Sequence, residues 1–148
     1  MAKETILKDI TELLENLKIL NVCIKKLDFE NKDDEGLNKD LILRISLNPG
    51  TPNFTQDKNN FLKIIQPVKF EMHKQSNEKE DNESLFFILN VIYEVTYKLN
   101  KKINKQLFDE YSKNYLPKIL HPYIRELIAS QMTKAGLPPI QIPLFENV

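Results

Sequence analysis

The spacing of apolar residues along the chain predicts one amphipathic helix followed by a sheet. In the first segment, residues 1–16, apolar side chains recur at steps of three and four and share one helical face: Ile6, Ile10, Leu13 and Leu14. Four later segments are rich in β-branched and aromatic residues and predict the strands of a sheet within residues 17–99: 18–30, 40–48, 61–74 and 85–99. The helix either covers its own domain or docks onto a partner, and the pattern leaves both roles open.

Two of these predicted strands are apolar on both faces. The fourth has an apolar residue at every odd position, and its opposite face begins with Phe86 and Ile88. The first divides its apolar side chains between the two sides: Leu20, Val22 and Ile24 against Ile19 and Cys23. A single domain spanning residues 1–148 supplies few helices to cover two apolar faces, so the pattern favours oligomerisation.

Prolines interrupt the middle of the predicted sheet. After the second strand, a polar stretch that carries Phe54 runs to Asn60 and predicts a long loop. Pro67 lies within the third predicted strand, where it cannot donate a backbone hydrogen bond. We therefore expect the third strand to lie at an edge of the sheet or to contain a bulge.

The last third of the chain predicts helices and then an extended tail. Residues 100–136 hold a first helical stretch, a break at Pro117 and a longer helix over 119–135 with a wide apolar stripe. Gly136 is well placed to end that helix in the left-handed conformation. Residues 137–148 are apolar and contain three prolines, so they favour extended chain rather than a helix or a central strand.

The charge balance excludes one class of partner. The chain has 21 basic and 21 acidic residues, so it lacks the excess of one sign that attracts nucleic acid or an anionic membrane. Only Arg44 and Arg125 are arginines, which leaves few side chains for bidentate phosphate or base contacts. No window approaches the roughly 18 apolar residues of a membrane-spanning helix. We expect no nucleic acid partner and no membrane insertion.

The chain also lacks the sequence signs of catalysis. It has no phosphate-binding loop, no dinucleotide-binding glycine motif and no serine hydrolase elbow. His73 and His121 fall in different elements, too few for a zinc site, and the apolar neighbours of Cys23 favour an inert thiol. A single cysteine fits a reducing compartment, and the charged first helix is unlike a signal peptide. We therefore expect a cytoplasmic protein that is not an enzyme and needs no cofactor or metal.

Residues 116–145, LPKILHPYIRELIASQMTKAGLPPIQIPLF, resemble the signature region of the SecB chaperones. The shared features are an apolar pair before Pro122-Tyr123, the pair Arg125-Glu126, a small-residue helix, Gly136 and a proline-rich apolar tail. The first strand, LKILNVCIKKLDFE, is similar to the opening strand of that family, including its closing aromatic and glutamate residues. The resemblance covers roughly residues 17–145.

The resemblance implies an α+β fold built on a four-stranded antiparallel sheet. Two such chains pair into a dimer and two dimers into a tetramer, with the long C-terminal helix at the oligomer interface. The helix at residues 1–16 is an addition to the family pattern. The implied function is an ATP-independent chaperone that holds unfolded polypeptides or preproteins and takes part in protein export.

The resemblance also assigns two sets of residues. The client-binding set comes from the second strand, the following connection and the tail: Leu43, Ile45, Leu47, Phe54, Leu137, Ile140 and Ile142. The oligomer-interface set comes from the first strand and the long helix: Leu20, Val22, Ile24, Tyr123, Leu127 and Ile128. Apolar surface of this kind can gain about 25 cal/mol per Å² when an unfolded segment covers it.

Departures from the family pattern leave the partners of the chain open. Acidic positions that export chaperones present to the motor protein SecA are occupied here by Lys26 and Asn90, and only Glu30 is retained. Docking to SecA is therefore possible under the resemblance, but these substitutions argue against it. One alternative is a SecB-like chaperone dedicated to a single client, such as an antitoxin. Another is a structural module that uses all its apolar surface in self-association.

Overall fold

The computed structural model describes residues 2–31, 41–76 and 79–137, with the side chains of residues 2, 41–43, 74–76 and 79–84 left out. It begins with a helix, continues with five strands and ends with two helices. In chain order the elements are α1 (Ala2–Asn16), β1 (Lys18–Asn31), β2 (Leu41–Pro49), β3 (Asn53–Gln56), β4 (Phe61–Ser76), β5 (Lys79–Lys98), α2 (Lys105–Asn114) and α3 (Leu116–Lys134). The predicted α+β class is confirmed.

All strand pairs are antiparallel, in the order β1-β5-β4-β2. The short strand β3 pairs with β4 on the same side as β2, so β2 and β3 together form one edge of the sheet. The sheet is therefore four strands wide. The stretch around Phe54 is partly a strand rather than the predicted loop, because β4 extends beyond β2 and offers its edge for pairing.

The prediction that Pro67 marks an edge strand or a bulge is wrong. β4 is an interior strand, and Pro67 pairs with Ile92 of β5 without a register shift. The carbonyl of Pro67 accepts a hydrogen bond from Gly50 N–H at 2.9 Å, so its missing N–H faces the side where β2 ends and β3 has not begun. Proline is tolerated there because neither strand needs that donor.

One face of the sheet, here called the helix face, is packed against α2 and α3. Alternate residues of β4 and β5 lie on it and are fully buried, as the odd-residue pattern of the fourth predicted strand indicated: Leu62, Ile64, Phe70 and Met72 with Phe87, Leu89, Val95 and Tyr97. The Tyr111 hydroxyl of α2 donates to the Tyr97 hydroxyl at 2.9 Å, and burial raises the pKa of Tyr111 to about 12. Both hydroxyls therefore stay neutral and hold α2 to β5.

The first strand departs from the predicted alternation at two register shifts. These shifts leave Leu20 and Lys25 without directly paired positions on β5. Ile19, Val22 and Ile24 then lie opposite Tyr97, Val95 and Tyr93 and share the helix face. Leu20 was predicted on that face with Val22 and Ile24, but it lies in the first bulge and is exposed.

The long helix α3 begins at Leu116, three positions before its predicted start. Pro117 lies in its first turn, where a proline removes no helical hydrogen bond, and Pro122 lies inside the helix. Gly136 ends it with φ +75°, as predicted. Gly136 N–H donates to the carbonyl of Thr133, and Leu137 N–H donates to that of Met132, the two bonds of a Schellman cap.

The chain between β2 and β4, here called the crossover (residues 50–60), is fastened to the connection before α2. The Gln56 side-chain amide donates to the carbonyl of Lys101 at 3.0 Å and accepts from Ile103 N–H at 2.9 Å. The Phe54 ring packs on Phe108 of α2 with ring centroids 4.3 Å apart. The Lys102 ammonium group also donates to the carbonyl of Asp57, and Leu99 N–H donates to that of Asn60, so several contacts together position the crossover.

We predict that Gln56→Ala lowers the free energy of unfolding by about 1–2 kcal/mol, because two backbone groups lose their partner. Amide hydrogen exchange at Ile103 should become faster. Thr55→Ala, on the exposed opposite face of the same strand, is the matched control and should change stability by less than about 0.5 kcal/mol. Equal effects of the two substitutions would contradict the fastening role of Gln56.

We predict that Gly136→Ala costs about 1–2 kcal/mol in urea unfolding, although a Cβ there meets no atom within 4 Å. The cost arises from the left-handed backbone alone. Gly136→Asn should cost less, since asparagine adopts this conformation more readily than alanine. A larger loss with asparagine than with alanine would show that space, not backbone conformation, limits this position.

Candidate functional site

The predicted client-binding residues of the second strand and the crossover lie in one line along the β2–β3 edge. Leu47 and Ile45 are opposite Phe70 and Met72 of β4, and Phe54 is opposite Ile64. Leu43 continues the line opposite Lys74, with its side chain outside the described part. Because directly paired residues share a face, all four positions belong to the helix face. We call them the edge row: Leu43, Ile45, Leu47 and Phe54.

Exposure varies along the edge row. Ile45 is 36% exposed, whereas Leu47 and Phe54 are half-buried against the core. The burial of Phe54 follows from its stacking on Phe108. The most accessible described side chain of the edge row is therefore Ile45, and Phe54 offers only the part of its ring that Phe108 leaves uncovered.

Of the three predicted client-binding residues in the tail, the structure describes one. Leu137 is 8% exposed and belongs to the cap of α3, so its side chain already packs in the core. Ile140 and Ile142 lie outside the described residues. Of the tail, the structure thus places only Leu137, and it places that residue as a buried end of the helix.

Four of the six predicted interface residues line one hollow between β1 and α3. Its apolar walls are Val22 and Ile24 of β1 with Tyr123 and Leu127 of α3, and its volume is about 330 Å³. Ile24 and Tyr123 are each 44% exposed. The strand and helix are distant in sequence, but β1 pairs with β5 beneath α3, which brings these side chains together.

The other two predicted interface residues lie elsewhere. Ile128 is fully buried in the core of its own chain, so the structure leaves it no surface to offer a second copy. The reason is its position on the inner side of α3, beside Leu120 and Ile124 in the same buried stripe. Leu20 is exposed in the bulge of β1 and does not line the hollow.

Tyr93 of β5 also lines this hollow. Its side chain is almost fully buried, and its hydroxyl has no hydrogen-bond partner among the described residues. Burial raises the pKa of Tyr93, and the nearby carboxylate of Glu126 raises it further. The hydroxyl is therefore neutral and is available as a donor or acceptor in a hollow that Glu126 and Ser130 also line. Sequence reasoning assigned Tyr93 only to the core, because periodicity cannot show which buried hydroxyl lacks a partner.

β1 lies at the other edge of the sheet from the edge row. Large apolar residues along it are well exposed: Ile19, Leu20, Ile24, Leu27 and Phe29. Within the described part of the chain, β1 has a strand partner only on its β5 side. A long apolar edge strand with unpaired backbone groups is a template for pairing with another chain.

The second face of the sheet, here called the open face, has a different chemistry. The carboxylate of Glu94 contacts Lys25 at 3.4 Å and Lys63 at 3.7 Å, and the Cys23 thiol donates to it at 3.9 Å. A hollow of about 450 Å³ on this face is lined partly by Lys26, Asp28 and Asn90. The positions that depart from the SecA-binding pattern are therefore beside one another here. Apolar residues that include Pro49, Pro67 and Ile92 complete the lining of this open-face hollow.

Metal-binding clusters and membrane-spanning helices are two further features that concern function. No three histidine, cysteine, aspartate or glutamate side chains in that part of the chain lie close enough together to hold a metal ion. None of its helices has the length and apolar content needed to cross a membrane.

Comparisons with known proteins agree with this architecture. The family model described as "Preprotein translocase subunit SecB" matches residues 11–146. Among solved structures, the fold is similar to the Mycobacterium tuberculosis SecB-like chaperone Rv1957, crystallised with a peptide from the HigA1 antitoxin: TM-score 0.73, 10% identity, 95% of this chain and 99% of that chain.

A protein of unknown function from Streptococcus agalactiae matches less well, with TM-score 0.45, 13% identity and coverage of 86% of this chain and 96% of that one. A search of curated proteins finds no match. Since the family model spans most of the chain, the protein belongs to the SecB family of holding chaperones, as the signature region and the first strand predicted.

Proposed function

We propose that this protein is an ATP-independent, non-enzymatic holdase that binds unfolded or preprotein chains along the edge row and works in the cytoplasm. The observation that carries the proposal is the edge row itself, a line of apolar positions that includes the exposed Ile45, on a sheet edge without a further strand partner among the described residues. Family membership supports the same function.

The geometry of the edge row suits an extended client. Its positions lie opposite β4 residues from Ile64 to Lys74, a span of about 33 Å at roughly 3.3 Å per residue. An unfolded segment of about ten residues covers that length. β2 has a strand partner only on its β4 side within the described residues, so a client can also add as a further strand. Backbone pairing of this kind requires no particular client sequence.

Self-association through β1 and α3 completes the proposal. A second copy that covers the β1–α3 hollow would bury Val22, Ile24, Tyr123 and Leu127 and bring a polar group to the Tyr93 hydroxyl. Leu20 extends this surface along β1. A dimer of dimers built this way carries several edge rows, and weak sites on one assembly add through effective concentration. Ile128 has no part in this interface.

A dedicated single client is the second candidate. The Rv1957 structure, which shares this fold, holds a peptide from an antitoxin. The substituted acidic positions Lys26 and Asn90 also argue against export through SecA. A panel of unrelated aggregating proteins separates the two functions: a general holdase protects most of them at stoichiometric amounts, whereas a dedicated chaperone protects none. Protection of none would exclude the general role.

We predict that Ile45→Asp weakens the binding of an unfolded model polypeptide about tenfold, measured by fluorescence anisotropy, because a charge interrupts the exposed part of the edge row. Asn48→Asp adds the same charge to the open face of the same strand and should leave affinity unchanged. Equal losses in both variants would show that net charge, not the edge row, governs binding.

We predict that Ile24→Asp and Tyr123→Asp each reduce the oligomer to smaller species, because each replaces an apolar contact of the hollow with a second carboxylate beside Glu126. Chromatography with light scattering measures the mass. Lys118→Asp, exposed on the same helix outside the hollow, is the control and should keep the original mass. Unchanged mass in the two hollow variants would contradict this interface.

A further inference from the structure

Helix α1 and the crossover share the same support. α1 lies against α2, and its Ile10 and Leu13 are buried in the core. The crossover rests on α2 as well, through the stacking of Phe54 on Phe108. Two segments that are far apart in sequence therefore contact the same helix.

A single residue connects the two segments. Lys101 Nζ contacts the Glu12 carboxylate of α1 at 2.8 Å, and its main-chain carbonyl accepts the hydrogen bond from Gln56 of the crossover. The ion pair lowers the pKa of Glu12 and raises that of Lys101. A displacement of α1 thus acts on the residue whose backbone fastens the crossover.

The attachment of α1 is slight for a helix of 15 residues. Of its apolar side chains only Ile10 and Leu13 are fully buried, whereas Leu7 is 64% and Leu14 40% exposed. Both partners of the Glu12–Lys101 pair are nearly half exposed, so solvent screens their attraction. A helix of this length is marginal on its own in water, and α1 therefore depends on the surface it covers.

The segment that covers this surface resembles a client in its chemistry. α1 is a short amphipathic segment with apolar side chains that remain partly exposed in the folded chain. α1 contacts α2, and the buried face of α2 includes Phe108, on whose ring Phe54 packs at the end of the edge row. An unfolded segment lying on the edge row would therefore meet the same helix that α1 contacts.

We propose that α1 is an intramolecular competitor: it occupies a client-binding surface on α2, and an incoming client displaces it. The inference rests on the proposed holdase function and concerns the regulation of the same site. When α1 covers the surface in most molecules, the apparent affinity for the client equals the intrinsic affinity multiplied by the uncovered fraction. Weakening the attachment of α1 must then tighten client binding.

The test uses the full-length protein and a fluorescently labelled, permanently unfolded polypeptide. Ile10→Asn with Leu13→Asn loosens the attached face of α1, and Leu7→Asn with Leu14→Asn is the control with the same composition change on the exposed face. We expect the first variant to bind the polypeptide at least about threefold more tightly and the control to bind as the unmodified protein does. Circular dichroism and thermal unfolding check that the sheet persists.

Charge reversal provides a second test that leaves the core untouched. Glu12→Lys and Lys101→Glu each replace the attraction with repulsion and should tighten client binding, and the double variant, which restores an opposite pair, should return toward the original affinity. High salt should reduce these differences, since both side chains are exposed.

The binding measurements distinguish a failure of the competitor role of α1 from a failure of the holdase function. If the unmodified protein binds the polypeptide but none of the attachment variants binds it more tightly, the competitor role of α1 is wrong and the holdase function stands. If neither the unmodified protein nor any variant binds unfolded polypeptides, the holdase function fails and the competitor role fails with it.

Discussion

The apolar face shared by β4 and β5 is the constraint from which the remaining architecture follows. Its side chains are fully buried, and they are covered mainly by α2 and α3, which pack across the two central strands. At the centre of the sheet, the hydrogen bond between the hydroxyls of Tyr111 and Tyr97 links α2 to β5. The helices cover less of the sheet toward both edges, where Ile45 on β2 and Ile24 on β1 remain exposed. Exposure at the edges is thus a consequence of covering a four-strand sheet with two helices.

The two edges of the sheet present apolar surfaces of different shape. At β2 and β3, the crossover leaves an accessible apolar line and holds its end in place through Gln56 and Phe54. At β1, two bulges turn the strand, and the helix α3 adds a second wall to form a hollow with a buried hydroxyl. A line of apolar side chains suits an extended chain of varied sequence, whereas a hollow that combines apolar side chains with Tyr93, Glu126 and Ser130 favours a defined partner surface.

The fold was largely predictable because its strongest signals are periodic. The odd residues of β5 and the glycine at the end of α3 have local physical causes that a sequence displays. The failures are all non-local. Leu20 does not lie on its predicted face because the pairing of β1 with β5 has a bulge at this residue. Pro67 is tolerated in an interior strand because the strand that pairs with β4 changes from β2 to β3 at that point.

The candidate site was harder to predict than the fold for a related reason. Ile128 and Leu127 are adjacent on an apolar helix, and only the packing direction of α3 shows that one lies in the core and the other on the hollow. Gln56 is an ordinary polar residue in the sequence, yet it bonds both backbone groups that position the crossover. No pattern in the chain marks it, because its partners lie more than forty residues away.

The strand order also bears on how assembly and client binding can coexist. β1 and β2 are separated by the two central strands, so their axes are about 14 Å apart at roughly 4.8 Å per strand. A second copy that pairs with β1 therefore does not compete for the outer edge of β2. Because the helix-face side chains of β4 and β5 are buried and closely packed between the edges, occupation of one edge need not distort the other. The regulation that we propose for α1 therefore does not pass through the sheet but through Lys101, which contacts Glu12 of α1 and Gln56 of the crossover.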